Sequence, residues 1–408
     1  MAKLTAEFMA DIDREVALVK EKMVEIRRDI HRHPERSKRE QRTSNLVAEQ
    51  LTALGLEVTR GQSIYSVVGL LRGDMPGKTV ALRADIDALK LQEQTGLPFA
   101  SENEGVMHAC GHDAHTAILL GVAQVLTRMK HRIPGNVKFL FQPSEEAFPG
   151  GALGMIQEGA LQNPKVDAVF GCHVAPSLPT GSIGIRAGQS IGGVVALTVR
   201  VKGKGGHFGM PHLAVDPITA SAHVIIALQS FMTRRIDPNE PAVLTFGTIQ
   251  GGVRDSIIGE EVLLRGDLGA MNDRLRNGLP QRLEKVAKAA AQALGASAEV
   301  EYWLGYPTVV NDPHLTELVG QVGQEVLGKR NVVVVEPNLG GEDFAYFQKK
   351  VPGVMWRLGV WDKSRFAEPP RQHDPKFDLD EAALPVGARV TAGLALGYLT
   401  QRGRPTRK

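Results

Sequence analysis

Thr79-Val80-Ala81-Leu82-Arg83-Ala84-Asp85-Ile86-Asp87 is a mostly apolar run that closes on two aspartates at i and i+2. Its aliphatic and β-branched content, with no proline, predicts a strand over Thr79 to Ile86. The order of the next elements decides the fold. A helix is expected from Thr116 to Met129, a strand from Val137 to Phe141, a short helix from Ala152 to Glu158, and a strand from Val166 to Val174. Such alternation implies an α/β layer, a mostly parallel sheet with helices on both faces. Functional groups on such sheets collect at the carboxyl ends of the strands. Upstream, Ala6 to Leu54 has helical spacing (Val16, Ile26, Ile30, then Leu46, Val47 and Leu51) interrupted at Pro34.

From about Gly192 the texture changes. A strand from Val194 to Val201, a helix from Pro217 to Arg234, strands at Val243 to Ile249 and Val262 to Leu268, and a helix from Asn272 to Leu294 form a β-α-β-β-α series. That series predicts a compact α+β sandwich of one sheet and two helices. After about Glu301 the α/β pattern resumes, with a helix near Thr316, strands at Val332 to Val335 and Val354 to Leu358, and a helix from Glu381 to Leu399. The expected organisation is one discontinuous domain, 1–190 with 304–408, interrupted by an inserted domain at 191–303.

Composition narrows the function. The chain has 408 residues, 43% hydrophobic and 23% charged, with a formal net charge of +3. No basic stretch is longer than the tail from about Arg402, which reads as a solvated terminus, so nucleic acid is not an expected partner. No apolar run approaches the roughly 20 residues needed to span a bilayer. Met1 to Glu15 carries acids throughout and lacks a signal peptide's apolar core, so a cytoplasmic location is expected. In that compartment Cys110 and Cys172 are not expected to pair. Gly73 to Thr79 imitates a phosphate-binding loop but precedes a strand, and no Gly-x-Gly-x-x-Gly opens a helix. No dinucleotide cofactor is implied.

The densest chemistry is His108-Ala109-Cys110-Gly111-His112-Asp113-Ala114-His115. If this segment is extended, Cys110 and His112 face the same side, a thiolate and an imidazole suited to a zinc-like ion. The plain alternative is a polar loop. Phe141-Gln142-Pro143-Ser144-Glu145-Glu146 ends an apolar strand on two carboxylates that diverge on extended backbone. One can bind metal while its neighbour acts as general base; alone, the pair would read as an acidic turn. Gly171-Cys172-His173 closes another strand, with Cys172 facing away from His173 and read as packing. Asp85 and Asp87 can orient a ligand from behind. His373, in Gln372 to Asp378, would be unremarkable by itself.

Together these motifs resemble the aminoacylase and carboxypeptidase family of dinuclear metallohydrolases, in the branch of hippurate hydrolase, thermophilic carboxypeptidases and plant hydrolases of auxin conjugates. The resemblance runs through Asp29 to Glu35, Leu82 to Asp87, His108 to His115, Phe141 to Glu146, Gly203 to His207, Gly341 to Phe344 and His373 to Asp378. It implies Cys110, His112, Glu146, His173 and His373 as metal ligands and Glu145 as general acid/base, with Asp87 also in the catalytic set. It implies His207 as partner of the substrate's carbonyl oxygen, on an inserted dimerisation or lid domain. Two divalent ions per chain (zinc, manganese, cobalt or nickel) and a homodimer or higher homo-oligomer are implied as well.

Two departures from the family pattern stand out. Ser256 occupies the place of the usual asparagine after Gly251-Gly252, and Gly269 that of the usual arginine. Both positions shape the substrate side in relatives. The function expected is hydrolysis of N-acyl amino acids, a small-molecule reaction. The alternatives are a carboxypeptidase acting on short peptides and an inactive binding protein of the same fold; the retained Glu145 speaks against the last.

Overall fold

The computed structural model describes residues 6–401, so the basic tail from Arg402 lies outside the described residues. The chain divides into two compact units, one comprising residues up to Gly188, Val310–Glu336 and the chain from Tyr346, the other Gln189–Val309 with Pro337–Ala345.

The first unit opens with α1 (Ala6–Arg32) and α2 (Gln41–Ala53), then β1 (Glu57–Arg60), β2 (Val67–Arg72) and β3 (Met75–Asp85). It continues through α3 (His112–Arg128), β4 (Pro134–Gln142), α4 (Ala152–Gln157), β5 (Ala168–Pro179) and β6 (Ile183–Ile185). The second unit holds β7 (Gly193–Lys202), β8 (Gly206–His207), α5 (Pro217–Arg235), β9 (Ala242–Gly251), β10 (Ile257–Ile258), β11 (Glu261–Ala270), α6 (Asp273–Gln292) and β12 (Ser297–Leu304). The chain then returns to the first unit with α7 (Pro313–Leu327), β13 (Val332–Val334), β14 (Gly353–Trp361) and α8 (Ala383–Leu399).

The first unit's sheet has the order β1-β2-β4-β3-β5-β14-β6-β13. Its centre is parallel, β3 against both β4 and β5, and β5 against β14. This is the mostly parallel layer that the alternation predicts. Near-continuous burial of β3 from Thr79, and of β5 to Ala175, is what strands covered on both faces require. On α1, Ile12, Val16, Val19, Met23, Ile26 and Ile30 recur at helical spacing and are buried.

In the second unit the order is β9-β11-β7-β12, antiparallel throughout. Alternate residues of β7 (Val195, Leu197, Val199, Val201) join α5 and α6 in one core.

Four expectations change. The hairpin partners β1 and β2 extend the sheet antiparallel beside β4, a ledge too short to declare itself. Helix α3 begins at His112, not Thr116, because Gly111 at φ 87° turns the chain into it. Strand β12 spans the point near Glu301 where the α/β pattern was expected to resume; its alternation of Ala298, Val300 and Tyr302 with polar residues belongs to an edge strand of the second unit. The unit boundaries also differ from 191 and 303, and Pro337–Ala345 belongs with the second unit. That segment explains one departure: a Cβ at Gly269 would lie 2.6 Å from the Leu339 carbonyl oxygen. Backbone cannot yield cheaply, so an arginine there is excluded while this segment stays in place.

Buried charge ties the first unit together. Arg27, 1% exposed, donates from Nε to Asp113 Oδ2 (3.0 Å), from Nη2 to Asp378 Oδ1 (3.1 Å) and from Nη1 to Glu381 Oε1 (3.0 Å). His31 lies 2.8 Å from Asp113 and 3.3 Å from Glu93. Burial opposes charge on His31, but Asp113 and Glu93 outweigh it and raise its pKa to about 9. A raised histidine contributes stability that is full below its ordinary value of about 6.5 and is lost as pH rises through the folded value. Thermal melts of metal-free protein should therefore show Tm falling between about pH 6.5 and 9, and His31→Gln should flatten that fall. An equally steep decline in the variant would assign the slope to other groups.

Candidate metal centre

Parallel pairing brings the carboxyl ends of β3, β4 and β5 side by side, and each ends in polar residues. Past β3, Asp85 and Asp87 are buried; past β4 come Ser144, Glu145 and Glu146; within β5 lie Cys172 and His173. Helix α3 opens against them with Cys110 and His112 flanking its start. The extended-segment expectation for this pair is overturned. Gly111 holds a left-handed conformation, and a Cβ there would sit 2.6 Å from Val174 Cγ2, so only glycine makes this turn.

The structure brings together Cys110, His112, Glu145, Glu146, His173 and His373. Donor atoms of Cys110, Glu146 and His373 lie within 4.8 Å of one another, and so do those of His112, Glu145 and Glu146. Glu146 Oε1 stands between the groups, 3.3 Å from His373 Nε2 and 3.9 Å from His112 Nε2. His173 Nε2 is 3.7 Å from Cys110 Sγ.

Hydrogen bonds behind these side chains aim them. His112 Nδ1 donates to Asp87, 2.9 Å from its carbonyl oxygen and 3.2 Å from Oδ1, which leaves the Nε2 lone pair pointing at the cluster. His173 Nδ1 donates to the Val174 carbonyl (2.9 Å), with the same consequence. Asp87 Oδ2 accepts from the Glu146 backbone N–H at 3.0 Å and from Ser37 Oγ at 2.6 Å. Asp85 accepts from His115 Nδ1 (2.5 Å) and Arg83 Nη1 (2.6 Å), and His115 Nε2 accepts from the Val174 N–H (2.9 Å). Both nitrogens of His115 are thereby satisfied within the protein.

The charges fit a cation. His112 Nε2 is buried with no hydrogen-bond partner, a costly arrangement for a polar nitrogen unless it ligates an ion. Hydrogen bonding and charge from Cys110 and Glu146 raise His373 to about 10, so the anionic groups favour a positive charge at that point. Burial and Glu146 raise the Cys110 thiol; a cation would oppose that by stabilising the thiolate. Cys172 is buried among apolar side chains, its thiol raised well above the usual range by burial and Asp85. Both cysteines are free. His207 lies in the second unit, exposed on β8, where its Nδ1 accepts from the Gly209 N–H at 3.2 Å. No described helix is long and apolar enough to cross a membrane.

Arg27, Ser37 and Glu40 were not singled out by any sequence pattern, and His31 only as part of a longer string. The string Asp29 to Glu35 marks their neighbourhood, but nothing local indicates that they turn inward.

Residues 81–397 match peptidase family M20/M25/M40. The chain is 38% identical to thermostable carboxypeptidase 1 of Saccharolobus solfataricus over 96% of its own length and 99% of that protein's. It is 36% identical to an N-acetylcysteine deacetylase of Bacillus subtilis, over 92% and 96% respectively. It also superposes on a dinuclear metal-binding M20 peptidase of Bacillus subtilis with a TM-score of 0.79 at 33% identity, covering 94% of this chain and 99% of that one.

Asp87→Ala should weaken divalent metal binding by about 10- to 100-fold in calorimetric titration, the usual cost of losing a partner behind a ligand. Unchanged affinity would show that His112 needs no such support.

Proposed function

Because the chain belongs to peptidase family M20/M25/M40 and is a metal-dependent hydrolase, we propose that it cleaves the amide bond of N-acyl or N-aroyl amino acids. One observation carries this reading. Adjacent carboxylates leave β4 with different neighbours, Glu146 lying against both His112 and His373 while Glu145 is buried beside His112. Cys110, His112, Glu146, His173 and His373 would hold two divalent ions (zinc, manganese, cobalt or nickel), which supply Lewis acidity toward the scissile carbonyl and make water more acidic. Glu145 takes the proton of the attacking water and passes it to the leaving amine. Asp87 acts through His112 and the Glu146 backbone.

His207 is the proposed donor to the carbonyl oxygen. Its Nδ1 is occupied as an acceptor, so the ring proton sits on Nε2 and is available to an oxyanion. The second unit supplies the proposed dimer contact. Strand β9 is a sheet edge with Val243 and Ile249 exposed, and α5 exposes Ile218 and Ile226. An antiparallel edge is self-complementary about a two-fold axis, so a second copy of this chain is the occupant it fits.

The carboxypeptidase relative favours a second reading, cleavage of the last peptide bond of short peptides by the same groups. Assays of hippurate-like substrates against dipeptides separate the two.

Glu145→Gln should retain two ions per chain by elemental analysis yet turn over at least ~100-fold more slowly. A variant that lost metal and kept its residual rate per bound ion would reverse the roles of the two glutamates.

On this reading each site combines Glu145 of one copy with His207 of the other, and a mixing experiment tests that arrangement. Glu145→Gln and His207→Ala homodimers should each be nearly inactive. Refolded together in equal amounts, about half the dimers carry one intact and one doubly altered site, recovering about a quarter of wild-type activity. No recovery with heterodimers present would place His207 in its own chain's site.

A further inference from the structure

The turn that delivers Glu145 and Glu146 has an unusual backbone. Ser144 adopts φ 60°, a conformation that residues with a Cβ seldom take. Something must hold it there, and the surrounding hydrogen bonds identify what. One oxygen, Glu40 Oε1, accepts from the Ser144 backbone N–H at 2.8 Å and from its hydroxyl at 2.9 Å. The same oxygen accepts from the Lys38 N–H at 3.0 Å, and that N–H also reaches Ser144 Oγ at 2.8 Å. Lys38 is itself left-handed, at φ 67°. A single fully buried carboxylate oxygen thus joins two left-handed residues that lie far apart in sequence. One residue before Lys38, Ser37 bonds the same Asp87 oxygen that accepts from the Glu146 N–H.

We propose that Glu40 is a positioning residue for the Glu145–Glu146 pair. Its carboxylate holds Ser144 in the left-handed conformation from which the two glutamates part, one toward the ligands and one toward the reacting water. The inference rests on the reading of Glu145 as the general acid/base.

The chemistry of the pocket says which replacement keeps the function. Burial and the Asp87 carboxylate raise the Glu40 pKa to about 7, and its second oxygen has no hydrogen-bond partner. A neutral amide in that place keeps an accepting oxygen for Ser144 and adds no charge beside Asp87. Alanine offers no acceptor at all.

The test compares Glu40→Ala, Glu40→Gln, Glu145→Gln and the Glu40→Ala/Glu145→Gln double variant, each loaded with cobalt(II). Glu40→Ala should lower kcat by about 10- to 100-fold while KM moves less than about threefold, the pattern of a misplaced catalytic group. Glu40→Gln should stay within about threefold of wild type. In the double variant the Glu40 change should add less than about twofold to the loss from Glu145→Gln, because it acts through that residue. The visible cobalt spectrum should change in Glu40→Ala, where Glu146 shifts, and persist in Glu40→Gln. Losses that multiply, a glutamine variant as poor as the alanine one, or an unchanged alanine spectrum with wild-type kcat would overturn the proposal. If Glu40→Ala does not fold, Ser144→Val should show its kinetic loss and Ser144→Gly should largely escape it, because glycine tolerates φ 60°. Equal losses in those two variants would overturn the proposal. Full activity in Glu145→Gln would sink the hydrolytic role of that residue instead, leaving the cobalt spectra to decide Glu40.

Discussion

A guanidinium cannot be buried alone, and the groups that neutralise Arg27 join the stretches of chain the candidate centre needs. Asp113 follows His112 on α3, Asp378 lies shortly beyond His373, and Glu381 leads into α8. Each uses a different edge of the planar fork, so the directions of three segments are set at once. Removing one partner from such a buried set typically costs several kcal/mol, because the remaining charge is stranded. The network sits beneath the ligands and takes no part in ligation. It makes the helix that opens with His112 and the late loop carrying His373 parts of one body.

Above that foundation the centre is built at strained backbone. Gly111 lies between Cys110 and His112 at φ 87°, Ser144 precedes Glu145 at φ 60°, and His373 is left-handed at φ 62°. Regular strands and helices present side chains at fixed intervals, and those intervals do not converge donors from four segments onto one place. Left-handed residues break the interval, and the surrounding hydrogen bonds hold them there. Asp85 and Asp87 add a second restraint by fixing which nitrogens of His115 and His112 carry protons. His112 and His173 carry hydrogen-bond partners on the side away from the cluster, which is how a site keeps its shape before an ion arrives.

In the second unit, Gly269 packs so closely against the Leu339 carbonyl that backbone packing leaves no room there for a longer side chain.

Local physics is legible in sequence. Apolar runs and helical spacing depend on neighbours a few residues away, so the parallel α/β layer and the one-sheet, two-helix second unit could be read directly. The donor types were legible too, since thiolate, imidazole and paired carboxylates carry their chemistry wherever they stand. Contacts between distant residues came only with folding: Arg27 with Asp113, 86 positions apart, Glu40 with Ser144, 104 apart, and Arg27 with Asp378, 351 apart. No periodicity reports such pairs, because their energy arises when folding removes both partners from water and leaves each as the other's only remedy. For the same reason Cys110 and His112 meet through a glycine turn, not strand alternation: the space beside Gly111 is closed by Val174, on a strand far downstream in the chain.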